Sequence, residues 1–422
     1  MSTGRWLTAG EAATRLEISR ATLYAYVSRG LVHSQPLSGT TRAHGYARED
    51  VERLARRTAT RRDPAAAAAH AFEWGVPVLE SAITALDGRA LYYRGHDAVT
   101  LARTKSVAEV ASLIWTGGFD ARLDSRAAAA PPPVPDDATF IQRAQMTLAA
   151  AAADDPGAAD LRLTSVIRAG WRMLQLLTGV AAGRQGARAA SGEAGAGSTG
   201  EAVDARLARS WRVSSADRAI LRAALILCAD HELNVSSFTA RCVASAGSTP
   251  YAVVIAGLSA LEGFRHGGAG ARVAAMLDAV HHEAVAPTGR VTRQAIRRAL
   301  AARLRRGEPI NSVGHPLYPD GDPRAAALLA MLQARGDSAE WAFVEAVAGA
   351  ATALVDDAPN VDFALAAVGR VLRLPAGAAL QLFAIGRTIG WIGQAIEQYA
   401  TEQLIRPRAR YIGPPPRTDG GG

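Results

Sequence analysis

The sequence predicts a mainly α-helical protein with a small separate domain at its N-terminus. Apolar residues recur at three- and four-residue spacing through 216–229, 293–305, 323–334 and 380–404, with few alternating runs of the β type. Clusters of Pro, Gly and Ala separate these stretches. No period of about 20 to 50 residues repeats, which disfavours a helical solenoid. With 422 residues, 49% of them hydrophobic, the chain has enough apolar surface for two or three domains and is not disordered as a whole.

The first element follows Thr8, which has Glu11 three residues on, a capping-box spacing, and then Ala12, Ala13 and Leu16 on one helical face. Ser19 is suited to cap a second helix, Arg20 to Ser28, with Gly30 closing it. Residues 31–46 follow, with Ser38-Gly39 as the tip of a hairpin, and then Arg48 to Leu54 as another helix. Two short helices joined by a tight turn match the helix-turn-helix arrangement, whose second helix enters the major groove N-terminus first. On that reading Ser19, Arg20, Thr22 and Tyr24 face a duplex. The segments LTAGEAATRLEISRATLYAYVSRGLV and YAREDVERLARR resemble the winged DNA-binding domain of MerR-type regulators. The same pattern equally suits a small helical domain that stabilises the rest and touches no DNA.

Beyond it, residues 61–70 read as a linker, 127–135 (AAAAPPPVP) and 182–200 as loops, and 413–422 (GPPPRTDGGG) as a disordered tail.

Charge follows the same division. The chain carries 47 Lys and Arg against 39 Asp and Glu, a net of +8, and only one of the 47, Lys105, is lysine. Residues 1–62 hold 11 Arg and 5 acids, so +6 of the excess lies there and the remaining 360 residues are close to neutral. A basic surplus of this kind points to an acidic partner for the N-terminal module, not for the body. Two cysteines, Cys228 and Cys242, in apolar surroundings fit a reduced cytoplasmic setting better than a disulfide scaffold. The N-terminus lacks a signal-peptide apolar core, and the longest apolar stretch, around 251–261, is short of the roughly 20 residues a membrane span needs.

Four polar segments interrupt the apolar helices of the body: ADHELNVSS (229–237), LEGFRHGGA (261–269), GHPLYPDGDPR (314–324), and NVDF (360–363) with FAIGRTIGW (383–391). His231, His266, His315 and Asp362 lie 35, 49 and 47 residues apart, which excludes a local metal motif and favours a site assembled from several helix ends. Each residue taken alone has a plainer use. His266 and His315 precede a Gly-Gly pair and a proline, as at many helix ends, and Asp362 is suited to cap a helix. Arg387, between Ile385 and Ile389, needs a partner or an anionic ligand if buried. Together these groups suit acid-base chemistry on a polycarboxylate, with no metal, no cysteine nucleophile and no phosphate loop.

The motifs DHELNVSSFTARCVASAGSTPYAVVIAGLSALEGFRHGGA, GHPLYPDGDPR, NVDFALAAVGRVL and LFAIGRTIGWIGQAIEQ, in this order, resemble those of citrate synthases. ITALDGRALYYRGHDAVTLA and RPRARYIG extend the likeness over about residues 73–412. The resemblance implies a citrate synthase-type two-domain helical fold, preceded here by the small winged helix-turn-helix domain (1–62). It also implies a homodimer, with a large domain of about 73–266 and 372–412 in a body that runs to 422. A small domain of about 267–371 would close over substrates. By the same resemblance Asp362 is the base that deprotonates an acetyl thioester, His266 donates to the thioester oxygen, and His315 donates to the oxaloacetate carbonyl. His231, Arg324 and Arg387 match ligands of the oxaloacetate carboxylates, and Arg406 matches one supplied across the dimer interface. No cofactor is implied, coenzyme A entering as the thioester substrate. The close alternative is a 2-methylcitrate synthase using propionyl-CoA, since one methylene is worth only about 1–3 kcal/mol of discrimination. A different alternative is a DNA-binding regulator whose body senses a ligand. This chain departs from the family pattern at Asn311-Ser312, where a Pro-Gly pair is usual, at Pro319, where many members carry a basic residue, and at Arg265 in Gly-Phe-Arg-His.

Overall fold

The computed structural model describes residues 6–16, 18–29, 31–36, 44–48, 50–52, 54–55, 79–121, 123, 134–135, 137–191, 201–285, 291–336, 338–409 and 411–414, with backbone alone for 184–191. Two compact units form, Met1–Glu80 and Ser81–Gly422.

In the first unit, strand β1 (Trp6–Leu7) leads into α1 (Ala9–Leu16) and α2 (Arg20–Ser28), followed by β2 (Ser34–Pro36) and β3 (His44–Ala47). The Thr8–Glu11 capping box forms as its spacing predicts: the Glu11 carboxylate accepts from Thr8 N at 2.7 Å, and Thr8 Oγ1 accepts from Glu11 N at 3.3 Å. Ser19 caps α2 by accepting from Thr22 N at 3.1 Å. The strands make an antiparallel sheet in the order β1-β3-β2, with Gln35 opposite Gly45. Ala12, Ala13, Leu16, Leu23, Val32, Tyr46 and Val51 form a core in this unit. Gly30, the hairpin tip at 38–39 and the linker at 61–70 lie outside the described residues.

The second unit begins with a three-stranded antiparallel sheet, β4 (Thr84–Leu86), β5 (Leu91–Tyr93) and β6 (His96–Asp97). Among the described residues fourteen helices follow: α3 (Ala98–Thr104), α4 (Val107–Thr116), α5 (Phe140–Ala153), α6 (Leu163–Ser191), α7 (Val203–Ser210), α8 (Arg218–Leu227), α9 (Val235–Ser245), α10 (Pro250–Glu262), α11 (Gly268–Ala284), α12 (Arg293–Arg305), α13 (Pro323–Ala334), α14 (Ala339–Val355), α15 (Val361–Val371) and α16 (Ala378–Thr401). Local signals set most of their ends. Ser106–Glu109 and Thr139–Gln142 form capping boxes at α4 and α5, and Thr249 and Asp322 cap helices whose first turns carry Pro250 and Pro323. Helices α12 and α13 span the ranges their periodicity predicts; α8 and α16 differ by a few residues at their ends. The expected loop at 182–200 is helical in its first part, because α6 runs to Ser191 across a break at Gly183 (φ 68°, ψ −174°). Ala and Arg there are strong helix formers, and one glycine interrupts the helix without ending it.

The longest apolar core gathers around α16, which buries Ile385, Ile389, Trp391, Ile392 and Ala395 against α4, α8, α9 and α10. Close approach on this helix demands glycine at 390: a Cβ there would stand 2.3 Å from the Ala229 carbonyl oxygen and 2.5 Å from Asp230 Oδ1. Among the described residues, no helix is long and apolar enough to cross a membrane.

Candidate active site

The segment that ends α8 turns sharply at Glu232 (φ 51°) before Asn234 caps α9, and this turn buries His231. Its Nε2 lies 2.9 Å from the hydroxyl of the fully buried Tyr318. His315 joins them: its ring centre is 5.2 Å from that of His231 and 5.0 Å from that of Tyr318. The backbone N–H of Leu317 donates to His315 Nδ1 at 3.2 Å. A neutral His315 therefore carries its proton on Nε2.

His266 sits in the turn between α10 and α11. Gly267 is obligatory behind it, since a Cβ there would meet the Leu261 carbonyl oxygen at 2.1 Å. Nε2 of His266 lies 2.9 Å from Ser236 Oγ, and Ser236 reaches Asn234 Oδ1 at the same distance, 2.9 Å. The α9 cap thus orients His266 through a serine.

Arg324 is buried in a two-pronged pair with Asp322: Nε donates to Oδ1 at 2.9 Å and Nη2 to Oδ2 at 2.8 Å. Asp322 Oδ2 also accepts from Val361 N at 2.9 Å, joining the starts of α13 and α15. Asn360 accepts from Asp362 N at 3.1 Å, donates from Nδ2 to Gly314 O at 3.0 Å, and through its backbone N–H donates to Ser312 O at 3.0 Å. Ser312 holds φ 60°, a left-handed conformation that suits glycine better than serine. Arg387, buried on α16, donates from Nε to Cys228 O at 2.7 Å and stacks 4.6 Å from the centre of the Phe383 ring, and its Nη1 is buried without a partner.

The electrostatics follow from this packing. Burial raises the Asp362 carboxyl to about 6, with Asp322 adding to the rise and Arg324, Arg272 and Arg387 opposing it. Burial lowers His266 to about 4, helped by the Arg387 cation, and His315 to about 4, helped by Arg324. Burial and the same two arginines hold His231 well below the usual range. All three imidazoles are neutral at pH 7, beside buried guanidinium groups and a carboxyl tuned close to neutrality.

His231, His266, His315, Asp362, Arg324 and Arg387 therefore belong to one cluster linked by hydrogen bonds, ring contacts and mutual charge effects. Arg406 is not joined to it within this chain; it lies exposed on the extended segment after α16. Arg265 and Pro319 are also exposed, the Arg265 guanidinium 5.5 Å from the Phe264 ring centre. Ser236, Tyr318 and Asp322 enter the site although sequence reasoning assigned them no role. Among the described residues, no group of three or more His, Cys, Asp or Glu is arranged to hold a metal ion.

The family description "Citrate synthase, C-terminal domain" matches residues 71–408. The chain belongs to the citrate synthase family. It is 38% identical to a citrate synthase of Haloferax volcanii over 197 residues, 45% of this chain and 49% of that protein. The aligned part thus spans about half the length of that relative. Among solved structures, a citrate synthase of Thermotoga maritima superposes with a TM-score of 0.65 at 24% identity, covering 82% of this chain and 96% of that one. A citrate synthase of Thermoplasma acidophilum in ternary complex with carboxymethyl coenzyme A and oxaloacetate gives 0.65 at 21% identity, covering 81% and 96%. These likenesses establish the citrate synthase fold for the body of the chain.

Proposed function

We propose that the protein condenses acetyl-CoA with oxaloacetate and water to citrate and CoA. One observation carries this reading: the raised carboxyl of Asp362 shares a site with neutral His266 and with His315, whose proton is on Nε2. An acyl thioester methyl is a weak acid, so its removal by a carboxylate requires a donor on the developing enolate oxygen. Asp362 takes the methyl proton as His266 donates to the thioester oxygen. The enol carbon then attacks the oxaloacetate carbonyl carbon, and the new alkoxide receives the His315 proton. Water cleaves the citryl thioester, releasing citrate and CoA. His231, Arg324 and Arg387 hold the oxaloacetate carboxylates, guanidinium groups matching them in shape and charge. Arg406 reaches the site of a second protomer, and residues 267–371 close over the first one to exclude water.

The test is thiol release from acetyl-CoA or propionyl-CoA with oxaloacetate, beside Asp362→Ala. Turnover with acetyl-CoA that Asp362→Ala abolishes supports the reading. A preference for propionyl-CoA makes the product 2-methylcitrate, and inactivity with both donors overturns the enzyme reading in favour of a ligand sensor.

A second reading concerns the first unit. Arg20 and Tyr24, one turn apart on α2, are both exposed on one face, in keeping with an approach to nucleic acid. Ser19 and Thr22 are tied to each other by a 2.9 Å side-chain bond, which leaves Arg20 as the main contact to phosphate. Duplex binding that weakens steeply with salt, and that Arg20→Ala reduces, supports it. Salt-independent retention on DNA sinks it.

A further inference from the structure

Cys228, Ala229 and Asp230 run against one turn of α16 and touch it three times. Arg387 Nε donates to Cys228 O at 2.7 Å, Gly390 N donates to Ala229 O at 2.9 Å, and Asp230 Oδ1 approaches the missing Cβ of Gly390 to 2.5 Å. Asp230 is fully buried. Its other oxygen, Oδ2, accepts from Thr84 Oγ1 at 2.6 Å, while Oδ1 makes no hydrogen bond of normal geometry and has the Gln394 amide of the same helix as its polar neighbour. One turn away along the helix, Arg387 Nη1 is buried without a partner as well. A buried carboxylate oxygen and a buried guanidinium nitrogen, both unsatisfied and of opposite charge, are each costly alone and stabilise each other.

We propose that Asp230 is a positioning residue for oxaloacetate: its carboxylate is the fixed counter-charge that holds the Arg387 guanidinium in place to receive a substrate carboxylate, and Gly390 is the gap that admits it. The mutual influence runs both ways. Arg387 is the strongest charge opposing the burial that raises Asp230, and Asp230 the strongest opposing the burial that lowers Arg387. Arg387 thus sits between a carboxyl group of the protein on one side and a substrate carboxylate on the other. The assignment rests on oxaloacetate as the ligand of Arg387.

The experiment compares wild type, Asp230→Asn and Thr84→Val by calorimetric titration with oxaloacetate alone and by steady-state kinetics in each substrate. Loss of the buried counter-charge to Arg387 predicts an oxaloacetate Kd and KM raised roughly tenfold or more in Asp230→Asn, with the acyl-CoA KM unchanged. Thr84→Val, which keeps the side-chain shape and removes only the bond that steadies Asp230, predicts a rise of about threefold. A carboxylate that merely stabilises the fold lowers the melting temperature and leaves the oxaloacetate Kd where it was; that result overturns the proposal. Should Asp230→Asn fail to fold, an unchanged oxaloacetate Kd in Thr84→Val overturns it equally. Wild-type protein that binds no oxaloacetate overturns the functional reading itself and is recognised before any variant is made.

Discussion

Ser236 Oγ lies 2.9 Å from His266 Nε2, across thirty residues of sequence, and the same hydroxyl reaches Asn234 Oδ1. A serine has one proton to give. Directed to His266, it makes Nε2 an acceptor and leaves the imidazole proton on Nδ1; directed to Asn234, it reverses the tautomer. The proposed role of His266 as a donor to a thioester oxygen needs one defined tautomer in place. Ser236→Ala is expected to lower kcat by about tenfold to a hundredfold, the worth of about 1.4–2.7 kcal/mol, with oxaloacetate affinity unchanged. Unaltered kcat in that variant removes Ser236 from the mechanism.

The pH profile follows from Asp362. As the proposed base it must be ionised, so kcat/KM should rise with pH through about 6 and level off above. His266 and His315 titrate near 4 and add no limb between 6 and 8. A profile flat from pH 5 to 8 contradicts the assignment of the base.

Asp362 also costs stability. Its folded-state pKa stands above the ordinary carboxyl value, so the fold favours the protonated form, and that preference is a penalty at pH 7, where the group is charged. Asp362→Asn is expected to abolish turnover while gaining about 1–3 kcal/mol in urea unfolding at pH 7. Lower stability in this variant contradicts the account of its environment.

The three buried imidazoles work in the opposite sense. Their folded pKa values are depressed, so the stability they carry is complete above about 6.5, the unfolded value, and is lost as pH falls below it, towards about 4 for His266 and His315. Each adds up to about 1.4 kcal/mol per pH unit in that window. Urea midpoints of the whole chain at pH 7 and pH 5 check this; equal midpoints contradict it.

Ser312 offers a test of backbone strain. At φ 60° a side chain is disfavoured, and Ser312→Gly is expected to stabilise by about 0.5–1 kcal/mol, read as a higher melting temperature. Ser312→Val, β-branched at the same angle, should lower it.

Much of the fold and part of the site could be read from sequence, and what could be read was local. Helices α12 and α13 follow apolar periodicity, and the caps at Thr8 and Ser19 follow residue type. His231, His266, His315 and Asp362 stood out because rare polar groups interrupted apolar helices. Ser236, Tyr318 and Asp322 did not, because their meaning lies in partners far along the chain: His266, His231 and the backbone of Val361. Arg265, which looked important beside His266, is turned to an exposed ring instead. The helical turns after Gly183 escaped because glycine and alanine in one run give propensity opposite signs.

Asp322 accepts at one oxygen from the guanidinium of Arg324 and from the main chain of Val361, the residue before Asp362. The arm that would grip the keto acid and the helix that carries the proposed base are therefore one mechanical part. Neither can be retuned alone: a change that shifts Arg324 to suit a bulkier acid also displaces Asp362, the carboxylate proposed to meet the thioester methyl. Redesign for a new acceptor would have to begin at Asp322, not at the arginine.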